Sequence, residues 1–336
     1  MLPTTTAVQG AAMAAGDFMP GEAVLAVIRK NIEAYEAERL SAYRQVRWRV
    51  PLFVSLVVAA VLGLAWAFNA LADPYEQWLS TPHLLLYVVG LVAALVAYFL
   101  GMRPAHTARQ SFRERLLPIA FSFIDDVRYR NGVEPDSFGR LPRDTVGAFN
   151  RETFDDVVSG RYQGFPFELY EARLVQKSGK TSRTTFNGVI MAIGAAVAFP
   201  GTLLATRKAN TVFGFFRTLF GSRLETIESG VPALDQAYEF RTDNAEAARP
   251  LVAGRLAKAL QWLGEAWPEE PARIALSHSD IFLLLPQDRN FFELPGVSKP
   301  LDYNAHVKPI LADMAALLAT AALVRQVGAS DEGAPE

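Results

Sequence analysis

The chain has 336 residues, no cysteine and a formal net charge of −2. This balance argues against a general nucleic-acid binder, and the lack of Cys removes disulfides, thiol catalysis and Cys-based zinc sites. An apolar fraction of 51% is high for a soluble protein and directs attention to long uncharged runs.

Residues 1–19 are rich in Thr, Ala and Gly and have little to bury, so they read as a disordered tail. Residues 20–50 read as a juxtamembrane helix. Val24, Val27, Ile28, Ile32 and Tyr35 recur near a 3.6-residue period, with Glu33, Glu36, Glu38, Arg39 and Arg44 mostly off that stripe.

Two runs follow, residues 51–72 and 84–102, joined by the short loop 73–83. Each is about twenty residues long, the length a helix needs to cross a hydrocarbon core of ~30 Å. Arg39, Arg44, Arg47 and Arg49 precede the first, and Arg103, Arg109, Arg113 and Arg115 follow the second, whereas the loop has no Lys or Arg. The positive-inside rule therefore predicts a two-span protein of a plasma membrane with both termini cytoplasmic. Ser55, Ala59, Gly63 and Ala67 recur along the first span, and Ala93, Ala97 and Gly101 along the second. Small residues at this spacing let helix backbones approach, which predicts a hairpin and leaves a homodimer possible.

Residues 103–327 read as one cytoplasmic α+β domain, and 328–336 as a polar tail. Phe112 to Tyr129 is expected to be helical with a break near Pro118, and Asn131 to Asn150 is turn-rich. Phe165 to Gln176 and Thr184 to Ile193 read as an antiparallel hairpin about Lys177-Ser-Gly-Lys180, with Gly201 to Arg207 as a further strand. Ser178-Gly-Lys-Thr181 imitates the end of a phosphate loop. Leu174 stands where the first Gly of that loop belongs, and strands flank it on both sides, so it reads as a turn. Val189 to Thr206 is uncharged, but Gly194, Pro200 and Gly201 predict two buried strands joined by an apolar turn rather than a third span. Asp243 to Glu265 reads as a helix capped by Asp243 or Asn244. Arg273 to Leu285 reads as a strand pair turned at His278-Ser-Asp280, and Lys308 to Val327 as a helix. Helices against an antiparallel sheet give the α+β class.

Phe199, Arg207, Lys208, Phe213, Phe215, Phe216, Arg217 and Phe220 interleave aromatics with cations, a pattern suited to a membrane interface. No catalytic motif stands out. Ser277-His-Ser-Asp280 gathers triad residue types, but a triad converges in space rather than in sequence. Asp125-Asp126 and Asp155-Asp156 are adjacent acids, whose side chains diverge on a helix or strand and so read as solvated caps or turns. No catalytic, metal or cofactor residues are assigned, and no cofactor is expected.

Two spans preceding FPFELYEARLVQKSGKTSRTTFNGVIMAI, GTLLATRKA, LETIESGVPALDQAYEFRTDNAEAARPL and RIALSHSDIFLLLPQDRNFFEL form a recognisable series. Over residues 20–325 the chain resembles a bacterial family catalogued as domain of unknown function 3137. The most specific elements are the charged strand before the turn, the Phe186-Asn-Gly-Val189 return and Tyr238-Glu-Phe240. Ala195 to Phe199 departs from it where a more polar turn is expected. The resemblance implies a bacterial membrane protein and transfers no activity. The functional expectation is a membrane-anchored binding or scaffolding protein whose partners are the bilayer and a protein or lipid at the cytoplasmic face. An enzyme acting on a membrane-associated substrate is the alternative.

Overall fold

The computed structural model describes residues 21–71, 78, 80–121, 123–208, 224–267, 270–288, 290–293 and 295–325. The two tails, most of the 73–83 loop, and Phe213, Phe215, Phe216, Arg217 and Phe220 lie outside the described residues. The chain divides into a helical unit, Leu25–Ile119 with Leu294–His306, and a sheet unit, Ala120–Glu293 with the segment from Val307 onward.

In the helical unit, α1 (Glu22–Leu71) joins the predicted juxtamembrane helix and first span without a break. α2 (Thr81–Ala120) returns antiparallel and runs through Pro104 and Pro118, so the predicted break near Pro118 does not occur. The buried stripe of α1 is Ile28, Ile32, Tyr35, Arg39 and Ala42, a spacing near 3.5 residues that suits a helix–helix seam. Tyr35 and Phe112 stack across it with ring centroids 4.0 Å apart. Burial raises the Tyr35 hydroxyl above its usual range, against the pull of Arg109 and Arg39. The segment 294–306 is tied to α1 by Arg39, which donates to the Val297 carbonyl at 2.7 Å, and by Glu36, which accepts from the Leu301 N–H at 2.8 Å.

Within the apolar stretches of α1 and α2, a Cβ on Gly101 would stand 2.7 Å from Val50 Cγ2 and 3.0 Å from Val50 Cα, and one on Gly90 would stand 2.5 Å from Val61 Cγ2. Glycine is required at these crossings because the valine of one helix fills the hollow left in the other. Ala97 and Gly101 are buried and Ala93 is half-buried, whereas Ser55, Ala59 and Gly63 are exposed and Ala67 is half-buried. The α1 stripe that meets α2 is therefore Val50, Val61 and Ala65, because β-branched knobs rather than small residues fill the glycine hollows. Ala65 is fully buried, with the ring Nε2 of His83 3.4 Å from its carbonyl.

Among the described residues the sheet unit is built on seven antiparallel strands: β1 (Asp125–Asn131), β2 (Arg151–Tyr162), β3 (Phe165–Ser178), β4 (Thr181–Arg207), β5 (Glu225–Ile227), β6 (Tyr238–Thr242) and β7 (Arg273–Pro286). The order is β1-β2-β3-β4-β6-β5, and β7 pairs with β4. Ser178-Gly-Lys-Thr181 is indeed a hairpin turn, with Gly179 at φ +57°.

Two expected turns are absent. Thr181–Arg207 is one strand, and both of its halves pair with the single strand β7, which does not turn at His278. Gly194 pairs with Asp280, Phe199 with His278 and Thr202 with Ser277, so the extra residues bulge outward instead of reversing the chain. Glycine and proline signals serve bulges as well as turns. Gly201, at φ +142°, also leaves room for the Asp243 carboxylate, which accepts from the Thr202 N–H at 2.7 Å.

Short helices complete the unit: α3 (Pro232–Ala237), α4 (Ala245–Ala253), α5 (Arg255–Ala266) and α6 (Lys308–Arg325). The predicted 243–265 helix is broken at Gly254, and Asn244 caps its first half by accepting from the Ala247 N–H at 3.2 Å. One sheet face packs Tyr170, Ala172, Leu174, Ile190, Phe282 and Leu284 against Phe138, Leu141 and Val146. Mixed α+β architecture with an antiparallel sheet is what the sequence led us to expect.

Among the described residues, three helices rather than two are long and apolar enough to cross a membrane. The most apolar windows of α1 and α2 are 6% and 17% buried within the protein, whereas that of Tyr303–Ala322 is 50% buried. Its Met314, Leu317, Leu318 and Ala321 are fully buried, which makes this helix part of the domain core.

Candidate functional site

Three carboxylates converge on the sheet. β2 and β3 are joined by Gln163-Gly164, both at positive φ, the signature of a two-residue hairpin turn. Pairing is regular from Tyr162↔Phe165 to Val157↔Tyr170, and the next pair is Phe154↔Ala172. Asp155 and Asp156 therefore stand together opposite Glu171, in a β-bulge. One carboxylate oxygen from each of Asp155, Asp156 and Glu171 lies within 4.8 Å of the other two. This corrects the expectation for Asp155-Asp156: the bulge turns two neighbours toward one partner, and Asp156 is fully buried.

Donors surround these oxygens. The Tyr129 hydroxyl donates to Asp156 Oδ1. Asn131 Nδ2 donates to Asp155 Oδ1 at 2.9 Å and to Asp156 Oδ1 at 3.1 Å. Asn290 Nδ2 donates to Asp155 Oδ2 at 3.0 Å and to Glu171 Oε2 at 2.7 Å. Glu171 Oε1 accepts from the backbone N–H groups of Phe291 and of Phe292, the latter at 3.2 Å. Burial first, and the Asp156 charge second, push Glu171 up to about 8, against the opposing pull of the two backbone donors. Glu171 therefore holds a proton at neutral pH, which relieves repulsion among three close carboxyl groups.

An all-oxygen set of this kind suits a proton or a hard cation such as Ca²⁺ or Mg²⁺. Here hydroxyl and amide protons already fill much of the set, so its direct effect is to latch residues 290–292 to β1, β2 and β3. Glu168, three residues before Glu171 and so on the opposite face, does the same for another loop. It accepts from the Asp136 and Ser137 N–H groups at 3.2 and 2.8 Å and pairs with Arg130 at 2.8 Å. These latches were not legible from the sequence without β2 as a recognised strand. The usable signal was the Gln163-Gly164 turn, from which counting back places Asp156 opposite Glu171.

The remaining candidates are dispersed. Phe199 is buried within β4 opposite His278. Arg207 lies 3.6 Å from Glu270, and Lys208 Nζ donates to the Asp235 carbonyl at 2.8 Å. Around Phe199 it is Ala196, Val197 and Ala198 that are exposed. Asp280 of the Ser277-His-Ser-Asp280 run is held by Arg140 at 2.8 Å, not by a histidine. A cavity of about 270 Å³ lies beside Asn187 and Arg273, both of which are engaged elsewhere. Asn187 donates to the Gln287 carbonyl, and Arg273 stacks on Phe186 and donates to the Thr145 carbonyl.

Residues 184–325 match the model of a family described as Protein of unknown function (DUF3137). The family expected from the sequence is borne out over that stretch. The matched region holds most of β4, all of β7 and the Asn290–Phe292 segment that Glu171 captures. No curated protein sequence matches the chain. Among solved structures, the chain is similar to the crystal structure of the mycobacterial trehalose monomycolate transport factor A, TtfA, at 13% identity. That match covers 62% of this chain and 91% of the other, with a TM-score of 0.35. So loose a superposition carries no inference about fold or role.

Proposed function

We propose that this DUF3137-containing chain is a membrane-anchored binding or scaffolding protein. In this reading α1 and α2 cross a bacterial plasma membrane as a hairpin, both termini are cytoplasmic, and the α+β domain stands on the inner side. The supporting observation is the apolar girth of the two helices. Leu56, Leu62, Trp66, Leu85, Leu91 and Phe99 are each 59–67% exposed. So much contiguous apolar surface is unfavourable in water and is removed from it by hydrocarbon. Arginines flank both spans on one side only.

The partner is a protein or lipid at the inner face, and the exposed Ser55, Ala59 and Gly63 face of α1 leaves room for a second copy. The exposed Ala196-Val197-Ala198 bulge and the Phe213–Phe220 stretch are proposed to contact the inner leaflet. The enzyme alternative gains little from the acidic cluster, most of whose oxygens are already hydrogen-bonded.

Sidedness tests the topology directly, because the chain has no native thiol. In intact cells Gln77→Cys should react with an impermeant thiol reagent and Ser330→Cys should not, the reverse pattern rejecting the proposed orientation. Purification in mild detergent followed by mass spectrometry tests the binding role. A stoichiometric co-purifying partner is expected, and recovery of the chain alone would count against scaffolding.

A further inference from the structure

We propose that the helical hairpin carries a binding site for one anionic glycerophospholipid, seated in a cleft between α1 and α2 where the apolar spans begin. The cleft, of about 690 Å³, lies wholly within the helical unit and falls in the size range of small-molecule sites. Its lining grades in polarity along the helix axes. Phe53 and Leu100 lie on the span side, Arg49 and Arg103 at the boundary, and Gln45 and Thr107 beyond. This is the order of an acyl chain, a phosphate and a polar headgroup.

Two observations select an anion. Arg49 and Arg103 make no hydrogen bond or ion pair with any described residue, so two guanidinium groups face the cleft uncompensated. Glu38, the acid on the lining, is already engaged. Arg115 grips both of its oxygens, at 3.0 and 2.5 Å. The net field at the boundary is therefore positive, and a phosphodiester is the group that paired guanidinium forks recognise best. Basic clefts between spanning helices at the cytoplasmic interface suit such headgroups. The Val50–Gly101 contact, with its room for no more than a hydrogen at Gly101, holds the two helices together directly beside both arginines. The arginines are thus presented from a fixed crossing rather than from a flexible loop.

The inference rests on the spanning assignment, which resistance of the full chain to alkaline carbonate extraction reads separately. Native mass spectrometry of the full chain in mild detergent, titrated with phosphatidylglycerol or with phosphatidylcholine of the same acyl chains, tests the site. One phosphatidylglycerol per chain should be retained at least tenfold more tightly than phosphatidylcholine. Arg49→Gln with Arg103→Gln should abolish that preference. Thr107→Trp, which fills the cleft and keeps the charge, should do the same. Arg47→Gln, an exposed neighbour off the lining, should leave it intact, and helical circular dichroism should be unchanged throughout. Excess inorganic phosphate at matched ionic strength should not displace the lipid, since it cannot replace the acyl contact with Phe53 and Leu100. Equal retention of the two lipids, an equal loss in Arg47→Gln, an intact preference in Thr107→Trp, or displacement by phosphate would each overturn the site.

Discussion

Gly188→Ala is expected to destabilise the sheet unit by about 3–6 kcal/mol, from backbone strain together with overpacking. Gly188 sits in β4 at φ +149°, paired with Ala172 of β3 on one side and Pro286 of β7 on the other. A Cβ there would lie 2.1 Å from the Leu285 carbonyl oxygen and 2.8 Å from the Gln287 nitrogen, both backbone atoms that cannot swing away. The loss is a large share of the roughly 5–15 kcal/mol that holds most domains folded. Limited proteolysis and thermal unfolding of the full chain in detergent should show it. Gly139→Ala is the control, since nothing lies within 4 Å of its Cβ position. A Gly188→Ala midpoint matching the control would mean that the two ladders are not closed at this point.

Stability should fall as pH rises from about 5 to about 8.5, and Glu171 should be the main cause. Its carboxyl titrates near 8 in the folded protein and near an ordinary 4.5 when unfolded. Between those values the unfolded chain has released a proton that the folded chain still holds. The stabilisation is therefore complete below the unfolded value and disappears as pH passes the folded one. Each pKa unit is worth about 1.4 kcal/mol, so the full effect is on the order of several kcal/mol. Glu171→Gln cannot ionise and should flatten the profile, leaving the variant more stable than the wild type at pH 8.5. Its carbonyl can keep the Phe291 and Phe292 donors. A wild-type profile that is flat, or that rises with pH, would remove Glu171 from this role.

What could be read from the sequence follows the range of the forces involved. The two long apolar helices were legible because about twenty consecutive apolar residues are a local property. The core face of α6 and the Asn244 cap were legible for the same reason. The 27-residue β4 was not, because Gly194, Pro200 and Gly201 look the same in sequence whether they serve a turn or a bulge. Only the pairing of both halves with β7 distinguishes the two. The α1 seam was misplaced because small residues mark where helices can approach, not which face finds a partner. The Asp155–Asp156–Glu171 cluster depends on a one-residue slip between two strands, and side-chain composition does not encode that slip. The family-specific Phe186-Asn-Gly-Val189 run was recognisable, but the reason for its glycine appears only when Leu285 and Pro286 lie alongside it.

The central position of β4 also sets an order of events during synthesis. The residues that complete its second edge, in β7, leave the ribosome about 65 to 80 residues after the end of β4. Until then β4 presents a long apolar strand with unpaired backbone groups, the kind of template that recruits neighbouring chains. In the proposed topology α1 and α2, by contrast, emerge before any strand and can already be committed to the bilayer. Insertion of that kind would hold nascent chains apart on a surface while the sheet waits for its last strand, and would act as a safeguard against aggregation during folding.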